Sequence, residues 1–221
     1  LALTGSTEAA FQIDRIARTC KYNSAKRAAR KELRLLAQEK SISVNDLLDE
    51  IVPNLGFDEA RELILDYGAR QFTVRLSDSL IPQISDDKGT MRKSLPKAAQ
   101  KDDEMLAARA RKQFTQLKKD LKHIIKSQTS RLQEALACGR QWTAENFEKN
   151  IIKHPILITL AKSLIWQNCD QHFRVSDELE YVNVDEDSLQ LKAGGVTLLH
   201  PQTLQNACQW GELLLDYELI Q

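Results

Sequence analysis

Apolar positions recur at helical spacing through the first fifty residues. In residues 7–19, Phe11, Ile13, Ile16 and Ala17 fall close to one face, the period of an amphipathic helix. Ser6 or Thr7 is placed to cap its first turn. Residues 22–40 carry Asn23 or Ser24 as a cap and a stripe of Ala25, Ala28, Ala29, Leu33 and Leu36. Residues 43–53 make a third, shorter helix that Pro53 stops, because proline lacks the N–H and clashes with the preceding turn. Short amphipathic helices joined by tight turns predict a solenoid-like packing, although no internal repeat accompanies it.

The period then changes from helical to two. Leu63, Leu65 and Tyr67 alternate with Glu62, Ile64 and Asp66, Ile64 being the apolar exception on the second face. Phe72, Val74 and Leu76 alternate with Thr73 and Arg75. This is a strand signal. Gly68 supplies the first turn and Ser77, Asp78 and Ser79 the second, so a small antiparallel meander is the simplest topology. Residues 86–103 lack periodicity and read as an exposed connection.

From Asp102 to about Ala137 the helical period returns through Leu106, Ala110, Phe114, Leu117, Leu121, Ile124, Leu132 and Leu136, with Gln128 interrupting the stripe. Such a helix is roughly 50 Å long and calls for a kink or a partner helix. Gly139 stops it. Thr143 and Asn146 then form a capping-box pattern. Pro155 opens a helix that is apolar nearly all round, through Ile156, Leu157, Leu160, Leu164 and Ile165. Strand-like segments follow in HFRV, LEYVNV, SLQLK and GVTLLH, and a last helix begins at Pro201 with Leu204, Ala207, Cys208, Leu213 and Leu214 on its buried face. The fold class expected is α+β, predominantly helical: a helical segment over residues 1–58, then an α+β domain over 59–221 with a small antiparallel sheet, one long helix, further helices and short strands, the alternative being one continuous domain that includes the N-terminal helices.

Chemistry is harder to find. His154-Pro155 and His200-Pro201 each stand before an apolar run. Proline is favoured at the first helical position, and the residue before it is driven into the extended conformation of an N-cap. Helix entry therefore explains both pairs. The competing readings are a general base oriented by Asp170 or Asp216, or a metal site joining His154, His172, His200 and Cys169, which no short-range spacing supports. Asp66, Tyr67 and Arg70 form a polar cluster at the first turn, where such residues are also ordinary hairpin chemistry. There is no phosphate-binding glycine loop and no nucleophile elbow. Trp142, Trp166 and Trp210 read as core anchors, each with one N–H to satisfy.

Composition changes this picture in one respect. Net charge is zero over the 221 residues, but it is segregated. About eight basic side chains face one acid, Glu32, between Arg15 and Arg34. About seven face one acid, Asp120, between Arg109 and Lys126, and about six acids lie without a basic residue between Asp177 and Asp187. The basic positions of the long helix, Arg109, Lys112, Lys119 and Lys126, are thus candidate contacts for nucleic acid or another anionic partner. Lys118 and Lys122 share that potential, although no aromatic residues interleave as single-strand binding prefers. Four scattered cysteines without a CxxC pair fit a reducing, cytoplasmic setting. No apolar run approaches a membrane span. The chain opens on Leu1 and is expected to be a segment of a longer protein.

Several stretches together, among them LILDYGARQFTVRLSDSLIPQI, LPKAAQKDDE, KHPILITLAKSLIW and WGELLLDYELIQ, resemble the MolR-like proteins named as molybdate metabolism regulators. The resemblance is to a domain often found C-terminal to a WGR domain in long multidomain chains, and it covers nearly the whole sequence. It implies a bacterial, regulatory, cytoplasmic setting with flanking domains, and it carries over no catalytic residues. Relatives have extra residues between the position of Trp166 and Phe173-Arg174, so a loop is expected to be missing or shortened here.

The function expected is a non-enzymatic interaction or regulatory module, without cofactor or metal, that contacts nucleic acid or a protein through the basic helix face. The alternatives are an enzyme built on His154, His200, Asp66, Tyr67 and Arg70, and a module linked to molybdate or another oxyanion.

Overall fold

Helix and strand periods resolve into seven α-helices and ten strands in the computed structural model, which describes residues 7–217. They fall into two units, Leu1–Asn54 and Leu55–Gln221. The first holds α1 (Thr7–Thr19), α2 (Asn23–Glu39) and α3 (Val44–Glu50). Ala10, Ile13 and Ala17 meet Ala29, Leu33, Ala37, Leu47 and Ile51 in one small core. Ser43 caps α3 by accepting the Asp46 N–H at 3.0 Å.

Some expected details differ. Ile16 and Ala28 are exposed, because each lies a turn edge away from the alanine and leucine contact line. The N-cap of α2 is Tyr22, with no side-chain cap, and Asn23 already belongs to the helix. Thr7 is the first residue of α1, while Ser6 lies outside the described residues.

In the second unit, β1 (Glu62–Asp66), β2 (Gln71–Leu76), β3 (Pro82–Asp86) and β4 (Met91–Arg92) form an antiparallel meander in chain order. Leu63 pairs with Val74 and Leu65 with Phe72. Cross-strand partners share a sheet face, so the alternation read from the sequence buries one common side, and Ile64 is exposed. The stretch expected as an open connection contains β4. Asp86 accepts the Thr90 N–H at 2.9 Å and the Lys88 N–H at 3.1 Å, and pairs with Arg92 at 2.7 Å. A turn held by side-chain hydrogen bonds leaves no periodic trace.

Arg92 and the two backbone N–H groups stabilise the Asp86 carboxylate, and its pKa is lowered from 3.8 to about 2. The unfolded chain therefore takes up this proton first on acidification. The stabilisation is complete above the unfolded value of 3.8 and is lost as pH falls through about 2. Melting curves of the wild type and Asp86→Asn are expected to converge across that window. Parallel curves at pH 5 and pH 2 would show that the contact adds no stability.

The long helix α4 (Glu104–Cys138) runs 35 residues without a break. Asp103 caps it by accepting the Leu106 N–H at 2.9 Å, and Gly139 ends it in the left-handed region at φ 61°. Its length is matched to two sheets: α4 contacts β1 of the meander and β10 of the second sheet.

That second sheet is antiparallel, in the order β5 (Gln141–Thr143), β10 (Gly195–Leu199), β6 (Ile165–Asn168), β7 (Gln171–Val175), β8 (Tyr181–Val182), β9 (Ser188–Leu189). Between β5 and β6 lie α5 (Ala144–Phe147), a π-turn at Glu148–Ile152 and α6 (Leu157–Lys162). Trp142, Phe147, Ile151, Ile158, Trp166, Phe173, Val196 and Leu198 pack on one face with Ala135 of α4. Ile165 and Leu199 turn to the other face, where Trp210 and Leu214 of α7 (Ala207–Asp216) cover them.

Two helix boundaries differ from expectation. The helix expected to open at Pro155 starts at Leu157 and ends at Lys162, because Ile165 and Trp166 pair with β10 as a strand. The last helix starts at Ala207, after a separate 3₁₀ turn at Pro201–Thr203. At the expected loop, β6 and β7 are joined by Cys169 and Asp170 alone, in a hairpin with Asn168 paired to Gln171. Among the described residues, no helix is long and apolar enough to cross a membrane.

Candidate functional site

The hairpin cluster ties the first turn to the start of α4. Asp66 accepts the Gly68 N–H at 2.8 Å, and the Tyr67 hydroxyl donates to the Pro96 carbonyl at 3.0 Å. Arg70 grips Asp102 with two hydrogen bonds, at 3.0 and 2.6 Å. Asp102 also accepts the Ala99 N–H at 2.7 Å. Gly68 has φ 84°, and a Cβ there would stand 3.2 Å from the Asp103 Cβ, so glycine lets the hairpin approach the helix cap.

The hydrogen bonds from Arg70 hold the Asp102 carboxyl below its ordinary range, while burial pushes the Tyr67 phenol up. All three candidates are engaged in fixing the connection between sheet and helix. Arg70→Ala strands a carboxylate whose side chain is 1% exposed, and it is expected to lower the thermal midpoint by about 5 °C. A shift below about 1 °C would rule out the clamp as a source of stability.

The two imidazoles cap turns, His154 just ahead of α6 and His200 at the 3₁₀ turn Pro201–Thr203. His154 Nδ1 accepts the N–H groups of Ile156 and Leu157, each at 3.2 Å. His200 Nδ1 accepts the Gln202 N–H at 3.2 Å, and its carbonyl accepts the Thr203 hydroxyl at 2.7 Å. Proline's missing N–H leaves the next amides to be satisfied, and the imidazole does so. Among the described residues, no group of three or more His, Cys, Asp or Glu is arranged to hold a metal ion.

The basic side chains of α4 stand on the face away from its core stripe. Ala107, Ala110, Phe114, Leu117, Leu121 and Ile124 are buried, while Arg109, Arg111, Lys112, Lys118, Lys119, Lys122 and Lys126 are all exposed. Lys112, Lys119 and Lys126 are spaced by seven residues, two turns of helix, so they form one line with Arg109 at its head. Among the described residues, no ion pair joins Arg109, Lys112, Lys119 or Lys126 to a carboxylate. Asp120 in their midst accepts two hydrogen bonds from Gln116, each at 2.9 Å.

Two adjoining cavities open beside this helix. One, of about 410 Å³, has Leu80, Ile81, Pro82, Leu121 and Ile125 as apolar walls and Lys118, Lys122 and Lys126 along its side. The other, of about 610 Å³, shares Ser79, Leu80 and Ile125 with it and reaches Thr159 and Lys162 of α6, Ser163 just after it, Arg174 of β7, Asp177 and Tyr217. None of the five candidate catalytic residues lines either cavity.

Sequence reasoning missed Arg174, Lys162 and Tyr217, which the fold brings together from three separate elements. Phe173 and Val175 face the main core, so alternation assigns Arg174 to a solvent face. Instead Tyr217, at the end of α7, lies over its guanidinium with 4.0 Å to the ring centroid.

A chain whose second unit is built as two sheets along one helix with a basic face is placed in its class by its relatives. A family model described as "Domain of unknown function (DUF4132)" matches residues 89–221, from the β3–β4 turn to the end, and the chain belongs to this family. It is similar to "Uncharacterized protein YehI" of Escherichia coli (strain K12), 30% identical over 231 residues, covering 100% of this chain and 19% of that protein. The chain thus spans about one-fifth of the length of that relative. No solved structure matches.

Proposed function

We propose that this chain is a non-enzymatic interaction module of a larger regulatory protein, and that it contacts the phosphate backbone of a nucleic acid through α4. The observation that carries this is the line of Arg109, Lys112, Lys119 and Lys126, exposed and without carboxylate partners among the described residues. From Arg109 to Lys126 the line extends roughly 25 Å at the helical rise, long enough to meet several successive phosphates. A helix face with lysines and arginines but no aromatic residues suits backbone contact rather than base stacking. The similarity to a much longer relative supports a role beside other domains, and the resemblance to MolR-like proteins supports a cytoplasmic, regulatory setting.

The test is binding of labelled duplex DNA and of RNA at about 50 and 200 mM salt. Affinity that falls steeply with salt is expected. Absence of binding to both at the lower salt overturns the nucleic-acid reading and leaves an acidic protein as the partner of this face.

A further inference from the structure

The larger cavity has a composition that the α4 reading does not use. Two of its cations are desolvated. The Arg174 side chain is 5% exposed and that of Lys162 11%. Their carboxylate partners are in solvent: Glu186, 3.1 Å from Arg174, is 52% exposed, and Asp177, 3.0 Å from Lys162, is 75% exposed. Among the described residues, the buried Nε–H of Arg174 has no acceptor.

This asymmetry decides the sign of the site. Asp78, Asp177, Arg174 and Lys162 line the cavity in equal numbers of each charge. Water screens the exposed carboxylates more than buried Arg174 and half-buried Lys162. Asp177, which is 75% exposed, is open to exchange with another anion at Lys162, while Glu186 is held by the Tyr217 hydroxyl as well as by Arg174. The inside of the cavity is therefore cationic despite its formal balance. Its remaining walls are Leu80, Ile125, Leu160 and Val175, with the Tyr217 ring beside Arg174 and the hydroxyls of Ser79 and Thr159, while the Ser163 hydroxyl donates to the Leu160 carbonyl at 3.0 Å.

We infer that this cavity binds a small organic oxyanion, whose phosphate or carboxylate head is held by Arg174 and Lys162 and whose apolar body rests on Leu80, Ile125, Leu160 and Tyr217. Asp177 and Glu186 occupy the cations in its absence, as internal stand-ins for that head. The volume of about 610 Å³ lies within the range of ordinary small-molecule pockets and exceeds what an inorganic ion fills. The site is separate from the exposed face of α4 and does not rest on nucleic-acid binding.

Calorimetric titration of the full chain with phenyl phosphate, benzoate, phenol and inorganic phosphate tests the assignment. Phenyl phosphate or benzoate is expected to bind at least about tenfold more tightly than phenol or inorganic phosphate. The stronger of the two identifies the head as phosphate or carboxylate. Lys162→Gln is expected to weaken that binding about tenfold.

Asp177→Asn, at an exposed position, is expected to tighten it several-fold by freeing Lys162, an effect that a purely structural ion pair would not give. The inference is overturned if neither organic anion binds below about 10 mM, a limit under the weakest affinities of interest. It is equally overturned if phenol or inorganic phosphate binds as well as its organic-anion counterpart, or if Asp177→Asn leaves affinity unchanged or lower.

Discussion

Trp166→Ala is expected to destabilise the second unit by about 3–5 kcal/mol, the cost of removing a large buried aromatic side chain and leaving its space unfilled. Trp166 is fully buried. It lies edge-on to Phe147 at 4.7 Å and to Trp142 at 5.6 Å between ring centroids, and its Nε1–H donates to the Ala161 carbonyl at 3.0 Å. The ring thus joins β6 to β5, α5 and the end of α6. Trp166→Phe keeps most of the apolar contact and loses the N–H, so about 1–2 kcal/mol is expected.

Urea unfolding measures both. All three tryptophans, Trp142, Trp166 and Trp210, belong to the second unit. Fluorescence of the two that remain reports that unit alone, while far-ultraviolet dichroism reports both. A cost below about 1 kcal/mol for the alanine variant would show that this ring is not central to the core.

The second large effect concerns the α4 face. Replacing Arg109, Lys112, Lys119 and Lys126 together with glutamine keeps good helix formers at positions that are exposed, so the fold is expected to survive. Each lost phosphate contact removes about 0.9 from the slope of log K against log salt. Four lost contacts lower the slope by roughly 3–4 and weaken nucleic-acid binding about 10³-fold at 0.1 M salt. Unchanged affinity and slope in the quadruple variant would place the binding surface elsewhere, even if the wild type binds DNA or RNA.

The parts of the fold that were legible in the sequence are those with their own local chemistry. The β1–β2 hairpin shows as two alternating runs about Gly68, and α4 shows as a long stripe that Gly139 terminates. The end of the helix after Pro155 is not legible, because residues 156–166 are mostly apolar. A short apolar run has no period to separate helix from strand, and β10, thirty residues on, makes Ile165 and Trp166 a strand. The two-residue β4 and three-residue β5 are too short to show a period.

Site residues follow the same division. The capping role of His154 ahead of α6 was legible because His-Pro is a local signal, but at His200 the same signal leads only into the 3₁₀ turn Pro201–Thr203, and α7 starts at Ala207. The cavity was not, since Lys162, Arg174 and Tyr217 meet only through the packing of α6, β7 and α7. The visible hint was an arginine set between Phe173 and Val175, which alternation alone assigns to water.

The strand order of the second sheet has a consequence for biosynthesis. β10 is the last of the ten strands to be made, yet it lies between β5 and β6. Until the ribosome has released residues 195–199, both neighbours present open edges, and Trp142 and Trp166 lack the strand that pairs with each of them. A nascent chain halted before Gly195 therefore carries two unpaired hydrogen-bonding edges beside exposed aromatic surface, the combination that invites association with other chains.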